Sequence, residues 1–409
     1  MTTSTHAIGD EGRGIRVIGL IGVAHFLSHF FQLVTAPLFP LMRESLGVSY
    51  AQLGVLATVF YATSGICQAA AGFVVDRIGA RRVLFSGIAL LAGSVFLMGF
   101  VPSFYWLFPL AVLAGVGNSV FHPADFAVLN ANVASKQLPH AYSAHGIAGN
   151  LGWACAPVVG VAIATAYDWR TALIVTGGAA LLVMLLLLQQ SSVFVDHRVK
   201  RVAKANSMAT DVAGLMTAPI LMCFAYFAFL AMTQIGLQTF SLPALQDLYG
   251  ISARLSASAV TGFLIGGSVG ILTGGFVANR VSRHDIVAAG GMLTGAGLTV
   301  LLAVAWFGNA FAVISIAALL GIAMGVTMPS RDMIVRAATP PGAAGKTYGF
   351  VYSGLDLGAC ATPYLFGLYL DHGKPQLIFY TVAVIIVVAV FSVLQVKRST
   401  IAAAQVQAT

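Results

Sequence analysis

The chain has 409 residues, of which 21 are Lys or Arg and 13 are Asp or Glu, a charged share of 8% against roughly 25% in an ordinary soluble domain. Apolar residues make up 58% of it and mean hydropathy is +0.90. So few charges cannot cover a soluble surface of this size, which excludes a cytosolic globular enzyme, a disulfide scaffold and a transcription factor and leaves a polytopic membrane protein.

Windows of about 20 mostly apolar residues, the length that crosses a bilayer, predict twelve spans. In the first half they run near 15–41, 51–75, 82–101, 104–134, 141–167 and 170–193; in the second, near 214–244, 252–278, 286–307, 309–337, 346–370 and 373–396. The first run is too long for a signal-peptide core and is read as a retained span. The predicted class is therefore an all-α membrane protein of twelve helices. It divides into a six-helix half (1–193), a basic linker (194–213) and a second six-helix half (214–409).

The net charge of +8 does not mark a nucleic-acid binder, because the basic residues lie in short gaps between apolar runs and form no stripe interleaved with aromatics. The N-terminus and the even-numbered loops hold sixteen Lys and Arg, the odd-numbered loops four. That asymmetry predicts both termini on the cytoplasmic side of the inner membrane. Cys67, Cys155, Cys223 and Cys360 each sit in an apolar run with no metal-type spacing and read as small packing residues.

Ionisable groups at bilayer depth are costly and usually mark a pathway. They are unevenly spread here. Span 1 carries His25, His29 and Gln32 on one helical face, and span 4 carries Asn118, His122 and Asp125. Span 5 opens with His145 and continues through Asn150. Span 7 offers Tyr226, Gln234 and Gln238; span 10, Arg331 and Asp332; span 11, Tyr352 and Asp356. Spans 3, 6, 9 and 12 carry almost none and are predicted to face lipid.

Three readings of the four histidines stay open: proton coupling or substrate ligation, hydrogen-bonded structural roles, and a transition-metal path. No metal site is assigned. The His25/His29 spacing would suit one, but no Glu follows His25 and no Cys joins it. Asp125 is the first candidate for a proton site and Asp356 the second. Arg331, the only basic residue deep in a span, reads either as an anion contact or as a neutralising partner of Asp332 or Asp356.

The halves repeat. At a shift of 203 residues Pro40 falls on Pro243, Gly47 on Gly250, Ser49 on Ser252 and Arg77 on Arg280; three residues further, Gly115 meets Gly321 and Pro157 meets Pro363. Two half-molecules of equal orientation imply a two-fold axis along the membrane normal and a site exposed alternately to each side by rocking. Pro123, Pro157, Pro329 and Pro363 are expected to kink or loosen their helices.

Between spans 2 and 3 stands Gly72-Phe73-Val74-Val75-Asp76-Arg77-Ile78-Gly79-Ala80-Arg81-Arg82. It resembles the signature loop of the major facilitator superfamily, G-x-x-x-D-R-x-G-x-R-R. Gly72 is expected to permit close helix approach, Asp76 to accept from helix N-terminal amides, and Arg77, Arg81 and Arg82 to anchor the turn. With Gly79, these residues are expected to serve gating and not to touch substrate. Span 5, from Gly149 to Gly160, is similar to the motif of the drug/proton antiporter branches, departing at Ala156 and Val161, where that motif has Gly. Phe121-His122-Pro123 with Gly149-Asn150-x-Gly152 most resembles the fosmidomycin-resistance-like exporters. The resemblance implies that spans 1, 4, 7 and 10 line a central cavity.

The function expected is proton-coupled export of a small amphiphilic or anionic compound. The alternatives are proton-coupled uptake of an organic acid and export of a metal or metal chelate. No HExxH or nucleotide loop points to an enzyme. A monomer is expected, driven by the proton gradient with no cofactor. Topology is testable with single cysteines in a cysteine-free background. A membrane-impermeant maleimide should label Ser207→Cys only in inverted vesicles and Ser103→Cys only in right-side-out ones.

Overall fold

The computed structural model describes residues 3–134, 137–194, 216–278, 280–304, 309–338 and 344–408. The predicted basic linker thus lies almost wholly outside the described residues. Packing divides the chain into two compact units, residues 1–48 with 59–201, and residues 49–58 with 202–409.

The first unit is built from α1 (Thr3–Val34), α2 (Phe39–Leu46), most of α3 (Tyr50–Ile78), α4 (Ala80–Met98), α5 (Leu107–Asn118), α6 (Phe121–Asn132), α7 (Leu138–Ala166) and α8 (Trp169–Gln190). The second holds α9 (Ala218–Ile235), α10 (Ser241–Tyr249), α11 (Ala253–Ala278), α12 (His284–Ala303), α13 (Ala310–Ala338), α14 (Ala344–Ala361), α15 (Pro363–Asp371) and α16 (Gln376–Ala408). A π-helical segment, Gly236–Phe240, joins α9 to α10, and a 3-10 turn, Ala36–Leu38, separates α1 from α2.

Among the described residues, eleven stretches are long and apolar enough to cross a membrane. The predicted eleventh span is not among them; its described part is two helices in series, α14 and α15, meeting at Thr362-Pro363. Proline lacks the N–H that would continue the ladder, and its ring crowds the carbonyl four residues back, so Pro363 opens a new helix instead. Pro123 lies in the first turn of α6, where span 4 is likewise broken. Pro157 and Pro329 sit inside α7 and α13, which run through them.

Two glycines record the duplication in the backbone. Gly47 (φ 64) closes α2 and Gly250 (φ 61) closes α10, each in the left-handed conformation that only glycine adopts cheaply. Their N–H groups donate to the Arg43 and Gln246 carbonyls. The repeat also holds at the next helix start. Ser49 Oγ accepts from Gln52 N and Gln52 Oε1 from Ser49 N, a reciprocal cap, while Ser252 Oγ accepts from Leu255 N. The amides of Tyr50 and Ala51 donate to the Asp371 carboxylate at 2.7 and 2.8 Å.

Small residues set the helix spacing. A Cβ on Gly117 of α5 would stand 2.6 Å from Leu91 N of α4, and one on Gly291 of α12 2.8 Å from the Ala323 carbonyl of α13. Backbones approach this closely only over glycine, which is how membrane helices gain packing without a hydrophobic force between them. The outer faces are bare: α8 exposes Leu182, Leu185 and Leu186, and α16 exposes Val384 and Phe391, as suits helices predicted to meet lipid.

The signature loop corrects one expectation. A Cβ on Gly72 would meet nothing within 4 Å among the described residues, so no close helix approach over Gly72 is made by them. Gly79 is the glycine the turn needs: it caps α4 at φ 96, ψ 140. Arg77 ends α3, and Arg81 and Arg82 open α4. The Asp76 side chain lies outside the described residues. Gly79→Ala should destabilise the protein by about 1–2 kcal/mol, read as a lower thermal midpoint in detergent, whereas Gly72→Ala should leave the midpoint unchanged or raised.

Candidate functional site

Three helices of the first unit converge on one polar cluster. α1 supplies His25 and His29, one turn apart; α6 supplies His122 and Asp125; α7 supplies His145. Asp125 is fully buried, and His25 and His145 are buried beside it. Asp125 Oδ2 lies 3.0 Å from His145 Nε2, with hydrogen-bond alignment, and 3.1 Å from His25 Nδ1, without it. The His25 and His145 rings stack with centroids 3.5 Å apart; His29 stands 4.3 Å and His122 5.2 Å from His25. His29 is half-buried and His122 exposed, so the cluster is closed at Asp125 and open at His122.

The seat is shaped by α7. A Cβ on Gly149 would fall 2.7 Å from His29 Nδ1 and 2.9 Å from His25 Cδ2. One turn on, a Cβ on Gly152 would strike the Phe26 carbonyl of α1. Trp153 lies against His29 with ring centroids 4.1 Å apart, and its Nε1–H donates to Gln32 Oε1 at 2.8 Å. The pair Gly149 and Trp153 belongs to the site, although the sequence presents it only as part of a motif. The legible signal was the glycine one turn after His145, on the same face of α7.

Asn118 stands apart from this cluster. Asn118 Nδ2 donates to Ser64 Oγ at 2.9 Å, and Ser28 Oγ donates to Asn118 Oδ1 at 3.3 Å. Asn118 therefore ties α5 to α3 and α1. Asn150 is half-buried on α7. Among the described residues, two donor sets have ligand atoms within 4.8 Å of one another: His25, His29 and His122, and His25, Asp125 and His145.

The second unit gathers a different chemistry. The Arg331 guanidinium, buried on α13, stands over the Phe227 ring of α9 at 4.7 Å and 5.9 Å from the Tyr352 ring of α14. Its Nε and Nη2 both reach Asp332 Oδ1 at 2.9 Å, and among the described residues Nη1 finds only the Met328 sulfur at 3.8 Å. Tyr352 Oη donates to the same Asp332 oxygen at 3.5 Å. Phe227 is the member that sequence reading overlooked, being one apolar residue among many.

The remaining candidates of this unit are dispersed. Tyr226, expected on the pathway, is instead a core residue whose hydroxyl meets the Met292 sulfur at 3.5 Å. Gln234 is half-buried on α9; Gln238 is buried in the π segment, its Nε2 without a hydrogen-bond partner. Asp356, half-buried on α14, has no hydrogen-bond or ion-pair partner among the described residues.

The model of the family described as Major Facilitator Superfamily matches residues 21–236 and again 223–406. The chain belongs to this superfamily. It is a transporter embedded in a membrane, not an enzyme. It is similar to the fosmidomycin resistance protein of Escherichia coli (strain K12), 24% identical over 378 residues that cover 89% of this chain and 88% of that one. It is also similar to the uncharacterized transporter YfnC of Bacillus subtilis (strain 168), 24% identical over 294 residues, 70% of each. A bacterial homolog of the human lysosomal transporter Spinster, solved inward-facing and occupied, shares the fold at a TM-score of 0.77 and 15% identity, over 94% of this chain and 97% of that one.

The histidine seat can be tested on its own. Gly149→Ala should cost about 1–3 kcal/mol by overpacking, measured as a fall in thermal midpoint. Gly146→Ala on the same helix, whose Cβ would meet nothing within 4 Å, should not.

Proposed function

We propose that this transporter exports a small anionic amphiphile by alternating access and draws on the proton gradient to do so. The observation that carries the reading is Arg331. A guanidinium in a membrane-spanning helix is costly unless an anion balances it. Arg331 is buried beneath Phe227 and beside Tyr352, and its balancing carboxylate, Asp332, is 44% exposed. Asp332 belongs to the same helix and meets two guanidinium nitrogens through one oxygen, which also accepts from Tyr352, while among the described residues Nη1 has only a thioether, a weak acceptor. A substrate carboxylate or similar oxyanion, arriving from the exposed side, would give the planar fork a fuller set of acceptors. The flanking rings would accept its apolar part. Export, as the direction, is supported by the resistance named for the Escherichia coli relative.

Coupling needs a group that changes charge within a span. Asp356 is a carboxylate with no partner among the described residues, one turn from Tyr352, and the second unit therefore holds both the cation and a candidate proton carrier.

The test is flux in proteoliposomes under an imposed pH gradient. Arg331→Ala should weaken transport of anionic probes by about 10- to 100-fold while sparing neutral ones. Asp356→Asn should abolish gradient-driven accumulation but leave substrate exchange at zero gradient. Uptake into inverted vesicles marks export; accumulation in right-side-out vesicles would instead mark the symporter. Flux indifferent to the gradient would remove proton coupling.

A further inference from the structure

We propose that the histidine cluster of the first unit is a binding site for a borderline divalent transition metal ion, of the zinc, cobalt(II) and nickel(II) class. The inner ligands are His25, Asp125 and His145, with His29 and His122 at the mouth. The inference stands apart from the anion reading of the second unit and shares no residue with it.

Three features of the geometry point to a metal. The first is spacing. Ligand atoms bound to zinc at about 2.0–2.1 Å in a tetrahedron stand about 3.3 Å from one another. His25 Nδ1 and His145 Nε2 lie 3.1 and 3.0 Å from Asp125 Oδ2, near that edge length.

The second is the unfinished hydrogen bonding. Among the described residues, His25 Nδ1 and Asp125 Oδ1 are buried without a hydrogen-bond partner. Native interiors leave few such atoms, and each calls for an explanation. A relay built for hydrogen bonds alone would align His25 on the carboxylate; here the nitrogen approaches the oxygen out of alignment. An ion among these atoms satisfies them together.

The third is the seat. Gly149 keeps its position empty of a Cβ that would stand 2.7 Å from His29 Nδ1, so the rings crowd against bare backbone. Five donors from three helices share this one place, with ligand atoms of each set within 4.8 Å.

The donor chemistry selects the ion. Imidazole suits zinc, copper(II), nickel and iron, while calcium and magnesium take oxygen. No cysteine is among the donors, which argues against a soft copper(I) site. Access runs through His122, the exposed member, toward the closed end at Asp125. A bound ion joins α1, α6 and α7 covalently in effect, so occupancy should stiffen the first unit.

The experiment uses the full chain, purified through a tag free of histidine, stripped with EDTA and kept in detergent. Zinc chloride, cobalt chloride and magnesium chloride are titrated while thermal unfolding is followed, and the cobalt sample is also read for visible d–d absorption. A saturable rise in midpoint with zinc and cobalt, none with magnesium, and cobalt bands of a nitrogen-and-oxygen site are expected. The rise should survive replacement of all four cysteines by serine.

His25→Ala, His145→Ala and Asp125→Asn should each weaken zinc binding at least about tenfold. His140→Ala, an exposed histidine earlier on α7, should not. His122→Ala, at the exposed mouth and away from the closed end at Asp125, is the mildest of the variants, and a smaller weakening is expected of it. No zinc-dependent shift in the wild type, or a shift that persists undiminished through His122→Ala and the inner variants, would overturn the proposal.

Discussion

A hydrocarbon slab offers no hydrogen bonds, so each polar group taken into it must find its partner within the protein. The helices of both units answer that constraint for the backbone. The side chains answer it by proximity, and proximity requires that backbones come together over residues without side chains. Gly149 and Gly152 let α7 lie against α1, and the carbonyl of Phe26 fits where a Cβ would stand. Without that approach His25 and His145 could not stack at 3.5 Å or share the Asp125 carboxylate. The polar centre of the first unit is in this sense a product of two glycines.

The duplication was kept in the backbone and released in the side chains. Gly47 and Gly250 still close matching helices with nearly identical dihedral angles, and Ser49 and Ser252 still cap the next ones. The chemistry diverged on this common frame. The first unit gathers four imidazoles about one carboxylate, and the second gathers a guanidinium, a carboxylate and aromatic rings. The two collections differ in chemistry, and it is on that difference that separate metal-ion and organic-anion sites are proposed above.

Much of this was legible in the sequence, for physical reasons. Length and hydropathy report span positions because the bilayer thickness is fixed, and spacing of three or four residues reports a helical face. His25, His29, Asp125 and His145 were therefore found as candidates. Periodicity says which face a residue occupies but not which helix comes to meet it. Tyr226 and Tyr352 look alike in sequence; one is buried against Met292 and the other lies beside Arg331. Asn118 looks like a pathway residue and is consumed by two serines from other helices. Phe227 was invisible because an apolar residue in an apolar span carries no signal. The break at Pro363 was foreseen only as a kink, since the same residue type is tolerated inside α7 and α13.

The irregular joints of the two units have one more consequence. Subtracting the repeat interval, the π segment Gly236–Phe240 corresponds to residues 33–37, beside the 3-10 turn Ala36–Leu38. The first is underwound relative to an α-helix and the second overwound. Each changes the angular phase of whatever follows it, in opposite senses. α2, of eight residues, and α10, of nine, correspond across the repeat and follow joints of opposite winding. Winding of this kind turns a whole segment about its axis, an effect separate from any substitution within it. The halves thus differ in backbone winding as well as in amino-acid identity.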